Sequence, residues 1–442
     1  MKIPRIWIIL LSLLSIFIRP PVAMSEEVRT LTLEQALAVA AEKNRDIQKA
    51  REYIRWAQGK YVEERAAALP QLTVMGTMTR NIDESQKLFG PIMAERQDQR
   101  SMEIGLTQAL FTWGQVSAAI RAAKGGLKSA EEQLRQYRQA TRRDVSAAFY
   151  DILLAKELHK LSLQNLEQKK RHLNEARRKH SVGVATDYDV LAAEVAVENA
   201  RPDAIRTENQ VRTARERIRF LLALEGETDV AGSLETAIHP YPSYEEALST
   251  ARERRPELVD LKYRLDISEE LVKVANAQDK PRLDLKGAYG WRDMEVADVT
   301  SSGPAWSVGV QLSYPLFDGL RTRGRVAQAR IDVERLKIDK AKQADAVSLE
   351  ARDAINAVRE AEEIVKSLSG TVTQAERLLF MAEKGYELGV KIRLEVEDAE
   401  LNLIQAKSNL SRARRDCIVA RINLDWVMGT LGENKDSASS LK

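Results

Sequence analysis

Residues able to do chemistry are few in this chain, and they are scattered. Four histidines, His159, His172, His180 and His239, stand apart from one another and from the single cysteine, Cys417. One cysteine closes no disulfide within the chain, and the histidine spacing offers no metal-ligand set. No nucleophile is paired with a base, and no glycine-rich loop is placed to cradle a phosphate. Basic clusters occur at Lys169-Lys170-Arg171 and Arg177-Arg178-Lys179, with Glu167, Gln168 and Glu175 interleaved. Mixed charge of this kind marks a solvated helix face rather than a nucleic-acid groove. Acids gather at Glu395, Glu397, Asp398 and Glu400, where a helix start would favour them through its dipole. The residues therefore point away from catalysis, a resident cofactor or a metal, and toward architecture.

Two short stretches organise that architecture. One is Ser181-Val182-Gly183-Val184-Ala185-Thr186, the other Glu387-Leu388-Gly389-Val390-Lys391-Ile392. Each lies between long helical patterns, and each supplies a glycine for a sharp reversal. Both read as tips of antiparallel helical hairpins. The helix before the first tip is expected from about Gln115 to His180. Val116, Ile120, Ala123, Leu127, Ala130, Leu134 and Tyr137 follow a 4-3 spacing there. Val358, Ala361, Val365, Leu368, Val372, Ala375, Leu379 and Ala382 repeat it before the second tip. This is a coiled-coil seam, and about 65 such residues span roughly 100 Å. Return helices are expected at about 187–224 and 394–429, the first interrupted at Pro202.

Composition agrees. The 442 residues are 30% charged and only 5% aromatic, as in long helices. With 68 basic and 65 acidic residues the net charge is only +3. Lys2 and Arg5 precede the apolar run Ile6 to Ile18, and Ala23-Met24-Ser25 follows. That is the pattern of a secretory signal peptide over residues 1–25, with an uncleaved anchor as the alternative. No later stretch has the roughly 18 apolar residues of a transmembrane helix.

The chain also repeats itself. Glu34, Ala36, Leu37, Pro70, Leu72 and Gly76 match Glu245, Ala247, Leu248, Pro281, Leu283 and Gly287 at one constant offset. Further on, Leu110-Phe111 matches Leu316-Phe317 and Gly183-Val184 matches Gly389-Val390. Two structural repeats are expected, 26–224 and 244–430, joined by a linker at 225–243 and followed by a disordered tail at 431–442. From Leu31 the chain reads as helix, resuming at Asp46 and stopping before Pro70.

After Pro70 the period changes to two. Leu72, Val74, Gly76 and Met78 share a face, as do Met102, Ile104 and Leu106. In the second repeat Leu283, Leu285, Tyr289 and Trp291 alternate with polar residues, and so do Trp306, Val308, Val310, Leu312 and Tyr314. Strands of about ten residues, with aromatics toward their ends, can cross a bilayer at a tilt. Leu283, Leu285, Tyr289, Trp306, Val308, Val310 and Leu312 are the expected lipid-facing residues. Residues 81–98 and 292–304 read as polar connections. A soluble sandwich with one buried face is the alternative. Four strands close no barrel, and an open sheet in lipid leaves backbone groups unpaired. The chain must then oligomerise, two copies giving eight strands and three giving twelve. The four long helices per chain favour the larger number.

A signal peptide, a duplicated helix–strand–strand–hairpin unit and Gly-Val tips together resemble the TolC-like outer-membrane efflux proteins. Leu33-Glu34-Gln35-Ala36-Leu37, Gln108-Ala109-Leu110-Phe111 and Tyr314-Pro315-Leu316-Phe317-Asp318-Gly319 carry the resemblance along with the tips. It implies a mostly α fold with a membrane β portion. Long antiparallel coiled-coil hairpins would build an α-barrel across the periplasm. Four strands per chain would build a trimeric twelve-stranded β-barrel in the bacterial outer membrane. It implies a homotrimer in outer-membrane lipid that serves as exit duct of a tripartite efflux or type I secretion system. A periplasmic adaptor (membrane fusion) protein would meet the tips at Val182, Gly183, Val184, Leu388, Gly389 and Val390. An inner-membrane pump of RND, ABC or MFS type would supply the substrate. Counting from the tip glycine, the family's periplasmic gate falls on Lys391, Glu395 and Asp398, with Lys391 tethering helices and the acids forming rings. The tip pattern departs from the family's Val-Gly-Leu-Ser/Thr: Val184 stands for Leu, and Ala185 precedes Thr186. An adaptor would carry one hairpin and small β-domains, and an enzyme would need a site the residues do not supply.

Overall fold

A computed structural model of the chain describes residues 29–81, 97–235, 240–296 and 299–432. The expected signal peptide and most of the expected tail lie outside the described residues. In chain order the elements are β1 (Arg29–Leu31), α1 (Leu33–Lys43), α2 (Arg45–Ala66), β2 (Gln71–Asn81), β3 (Gln97–Phe111), α3 (Gln115–Ser181) and α4 (Asp187–Leu222), then β4 (Thr228–Val230), α5 (Tyr244–Arg254), α6 (Pro256–Asn276), β5 (Arg282–Val296), β6 (Val299–Ser313), α7 (Arg321–Glu387) and α8 (Arg393–Val427). The order helix, helix, strand, strand, long helix, helix occurs twice, and both long helices have 67 residues. Among the described residues no helix is long and apolar enough to cross a membrane.

The chain divides into two compact units. One holds residues up to Lys43, Val145–Glu235 and Leu368–Arg415. Its main core joins Leu31 and Val230 to Ala36 and Ala40 of α1, Val145, Phe149 and Ile152 of α3, and Ile218 and Leu222 of α4. Alanines at helical spacing let α1 approach closely. Near the second tip Ala382 of α7 packs with Val396 and Ala399 of α8.

The other unit holds Asn44–Asp144, Thr236–Ser367 and the chain from Asp416 onward. Asn44 caps α2 by accepting hydrogen bonds from the amides of Asp46 and Ile47. Ala247, Ala351, Ile355, Val358, Leu424 and Val427 pack α5, α7 and α8 together. Here also lies one sheet in the order β2-β3-β5-β6, antiparallel throughout.

Register sorts this sheet into two faces, because directly opposed residues share a side. Leu72 pairs with Leu106, Val74 with Ile104, Ile104 with Tyr289 and Tyr289 with Trp306. Leu285 pairs with Val310 and Leu283 with Leu312. All these belong to one apolar face that crosses all four strands. Thr77, Ser101, Glu103, Asp284, Lys286, Arg292, Ser307 and Gln311 fall on the other.

Four expectations need correction. The strands exceed ten residues: β5 and β6 each have 15, so most of 292–304 is ladder rather than connection. Backbone pairing continues past the apolar band because Ser, Thr and charged residues hold a ladder as well as apolar ones do. Leu31, expected to open a helix, instead ends the strand 29–31, which pairs parallel with β4, itself inside the segment read as linker. Three-residue strands carry no readable period. Pro202 does not interrupt α4, which runs unbroken from Asp187 to Leu222. A proline removes one hydrogen bond at about 3 kcal/mol, and buried Ala200 and Ala204 anchor the helix on either side of it.

Candidate functional site

The two tips are built alike. In the first, the Val184 amide donates to the Lys179 carbonyl at 2.8 Å and the Gly183 amide to the His180 carbonyl at 2.9 Å. In the second, the Val390 amide donates to the Gly385 carbonyl at 2.9 Å and the Gly389 amide to the Tyr386 carbonyl at 3.0 Å. This 6→1 and 5→2 pair is a Schellman end, which needs a left-handed residue at the turn. Gly183 and Gly389 supply it with φ of 76° and 73°. Val182, Val184, Leu388 and Val390 then stand open: Val184 is 73% exposed and Leu388 78%. Four large apolar side chains in solvent at two turn ends are more than the turns themselves require.

The helices after the tips start with matching acids. Thr186 and Asp189 form a capping box, Asp189 accepting from the Thr186 amide at 2.8 Å. Glu395, at the equivalent position, accepts from the Ile392 amide at 3.1 Å and binds the Lys391 ammonium. The Lys391 bond, then the Ile392 amide, hold the Glu395 carboxyl below the usual carboxylate range. Lys391 thus pairs within its own turn, and Asp398 is exposed.

Other residues link the two hairpins. Lys179 of α3 donates to the Tyr386 hydroxyl of α7 at 3.0 Å and pairs with Glu175 at 2.8 Å. Arg393 of α8 lies 3.6 Å from Glu175 and 3.0 Å from Glu397. Deeper in, Glu400 is only 3% exposed and accepts from His172 Nε2 at 2.9 Å, with Lys169 Nζ at 3.5 Å. These partners lie too far apart in sequence for spacing to reveal them. The one available signal was Glu400 itself, an acid on the seam side of α8.

Burial pushes the Glu400 carboxyl up, yet His172 and Lys169 hold it, on balance, below the usual carboxylate range. Its contribution is therefore present above the ordinary value of about 4.3 and is lost as pH falls through the depressed one. Acidification from pH 7 through that window is expected to separate α3 from α8 here, widening a spin-label distance between them. Glu400→Gln is expected to be wide already and insensitive to acid. A variant that still responds as the parent does would place the response elsewhere. Glu400→Ala is expected to cost about 3 kcal/mol, the low end for a broken buried pair, since His172 and Lys169 keep some solvent.

Among the described residues no group of His, Cys, Asp and Glu could hold a metal ion. Comparison with known proteins agrees with this architecture. The model of the outer membrane efflux protein family matches residues 36–224 and 247–430. Outer membrane protein TolC of Vibrio cholerae serotype O1 is 23% identical over 380 residues, covering 84% of each chain. A probable efflux pump outer membrane protein, TtgC of Pseudomonas putida, is 23% identical over 402 residues, covering 90% of this chain and 82% of that one. The crystal structure of the Campylobacter jejuni CmeC outer membrane channel superposes with a TM-score of 0.78 at 16% identity, over 92% of this chain and 88% of that chain. At that identity the likeness carries the fold alone. The chain belongs to the outer membrane efflux protein family and is an outer-membrane efflux or secretion channel, not an enzyme.

Proposed function

We propose that three copies of this chain form one continuous duct, the exit of a tripartite efflux or type I secretion system. The carrying observation is a four-stranded sheet with one apolar and one polar face whose edges, β2 and β6, have no further strand partner among the described residues. Pairing β6 of one copy with β2 of the next closes a twelve-stranded barrel and removes the edges that lipid forbids. The apolar face, with Leu283, Leu285, Tyr289, Trp306, Val308, Val310 and Leu312, meets lipid. From Pro304 to Tyr314 is ten steps along the chain, about 33 Å at 3.3 Å each and about 25 Å at a 40° tilt. That is the height of an outer-membrane apolar band. The hairpins project into the periplasm, where Val182, Gly183, Val184, Leu388, Gly389 and Val390 dock a periplasmic adaptor protein. An RND, ABC or MFS pump selects the substrate. The twice-repeated element order supports an internal duplication. A detergent-extracted trimer that falls to monomer only on heating is the expected result; a monomer without heating would refute the assembly.

Lys391, Glu395 and Asp398 form the gate in this proposal. Three copies of each acid around one axis attract divalent cations. Glu395→Ala with Asp398→Ala is expected to raise the cation concentration that blocks single-channel current by about tenfold. Lys391→Ala frees Glu395 and loosens the second tip, so conductance is expected to rise. Unchanged block and conductance in planar bilayers would remove these residues from the gate.

A further inference from the structure

The apolar face of the sheet does not end in neutral residues. Its distal rows are aromatic, Tyr289 opposite Trp306 and Trp291 opposite Pro304. The next row on the same face is Met78, Arg100, Asp293 and Ser302, and the one after it Arg80, Asp98, Glu295 and Thr300. These rows stand about 7 and 13 Å along the strands from Trp291, at about 3.3 Å per residue. Rings at a band's edge mark the boundary between hydrocarbon and headgroup. The two arginines therefore sit at headgroup depth.

Their pairing leaves donors outward. Arg80 grips Asp98 with two bonds, Nε to Oδ1 at 2.8 Å and Nη2 to Oδ2 at 3.0 Å. Asp98 is 4% exposed, while the Arg80 side chain is half exposed. The buried carboxylate thus fixes one edge of the guanidinium and leaves the other toward the surroundings. Arg100 lies 3.8 Å from Asp293, beyond hydrogen-bond reach, and is half exposed as well. In register the two arginines are diagonal neighbours on adjacent strands. Planar forks of this kind match phosphate oxygens two at a time.

We propose that Arg80 and Arg100 bind a phosphate of the phosphorylated glycolipid in the outer leaflet of the outer membrane. This rests on the sheet facing lipid. A purely structural ladder would need only Arg80 with Asp98; Arg100 adds no more than a long, half-exposed ion pair to Asp293 at 3.8 Å, which leaves its fork open to a second anion. Asp293 and Glu295 share these rows and repel a phosphate, which keeps the gain in affinity moderate.

The test uses the full chain assembled in detergent, with bisphosphorylated lipid A and its dephosphorylated form as probes, retention being read by native mass spectrometry. The parent is expected to hold the phosphorylated form about tenfold more tightly. Arg100→Gln, which removes only the long pair to Asp293, and the double change Arg80→Gln with Asp98→Asn, which removes both charges of that pair together, are each expected to erase most of that preference. Heat-modifiable trimers are expected to persist in both. Equal retention of the two lipids by the parent, or an unchanged preference in Arg100→Gln, would overturn the phosphate site. Failure to retain either lipid would instead count against the sheet facing lipid, and the site would fall with it.

Discussion

Val310→Arg is expected to cost about 2–4 kcal/mol per chain and to sharply reduce the trimer recovered from the outer membrane. Val310 is exposed, pairs with Leu285, and lies near the middle of the span from Pro304 to Tyr314. In the proposed barrel a charge there would have no route to water within a side chain's length. In a trimer the cost is met three times around one barrel. Ser307→Arg, three residues before Val310 on the other face, is expected to be tolerated. Lys286 already stands on that face, opposite Gly309 and Thr107, so a cation at this depth is compatible with a wet interior. The contrast separates the membrane from a soluble sheet. In water, arginine at an exposed position such as Val310 changes stability by only about 0.5 kcal/mol. The measurement is urea unfolding of both variants from lipid vesicles, together with the yield of heat-modifiable trimer. Equal tolerance on the two faces would sink the assignment.

The sheet's faces could be read from the sequence because alternation is a local property. Leu72, Val74, Tyr289, Trp306 and Val310 declare their side by parity alone, and the register places them together. Strand length was harder, because Arg292 to Pro304 holds charged and small residues that suggest a loop, while the ladder is made by backbone groups that composition does not report. The long helices declared themselves through their seams: Val358, Ala375 and Ala382 are all buried in the structure. What escaped was pairing between distant segments. His172 and Glu400 lie 228 residues apart, and Arg393 meets Glu175 across a similar gap. Helix phase says which way a side chain points along its own element but not what stands opposite. The same holds for β1 and β4, whose three residue pairs join distant parts of the chain. Candidate residues at the tips were visible because a turn must solve its backbone problem locally, with Gly183 and Gly389.

Gly389→Trp is expected to abolish export while trimer assembly and outer-membrane insertion stay intact, and Gly183→Trp likewise. A β-carbon built at either glycine meets nothing within 4 Å, so the space beside each tip is open. The first atom of the new side chain therefore meets nothing in the chain at either tip. The internal cost of the substitution is the left-handed backbone, about 1–2 kcal/mol for a residue with a side chain. That is small against a hairpin held by the Ala382, Val396 and Ala399 cluster, by the Lys179 hydrogen bond to Tyr386 and by the Arg393–Glu175 ion pair. A partner seated on Val182, Val184, Leu388 and Val390 would meet the indole directly. Gly389→Asn separates backbone from bulk, since asparagine enters the left-handed region readily and is small. It is expected to export nearly as well as the parent. Export by each variant, measured with the cognate adaptor and pump present, decides between the two causes. If both Gly389 variants fail alike, the turn geometry is what matters; if both export normally, the tips are not where the adaptor binds. Loss with Trp and retention with Asn is the outcome expected of an apolar tip that docks a second protein.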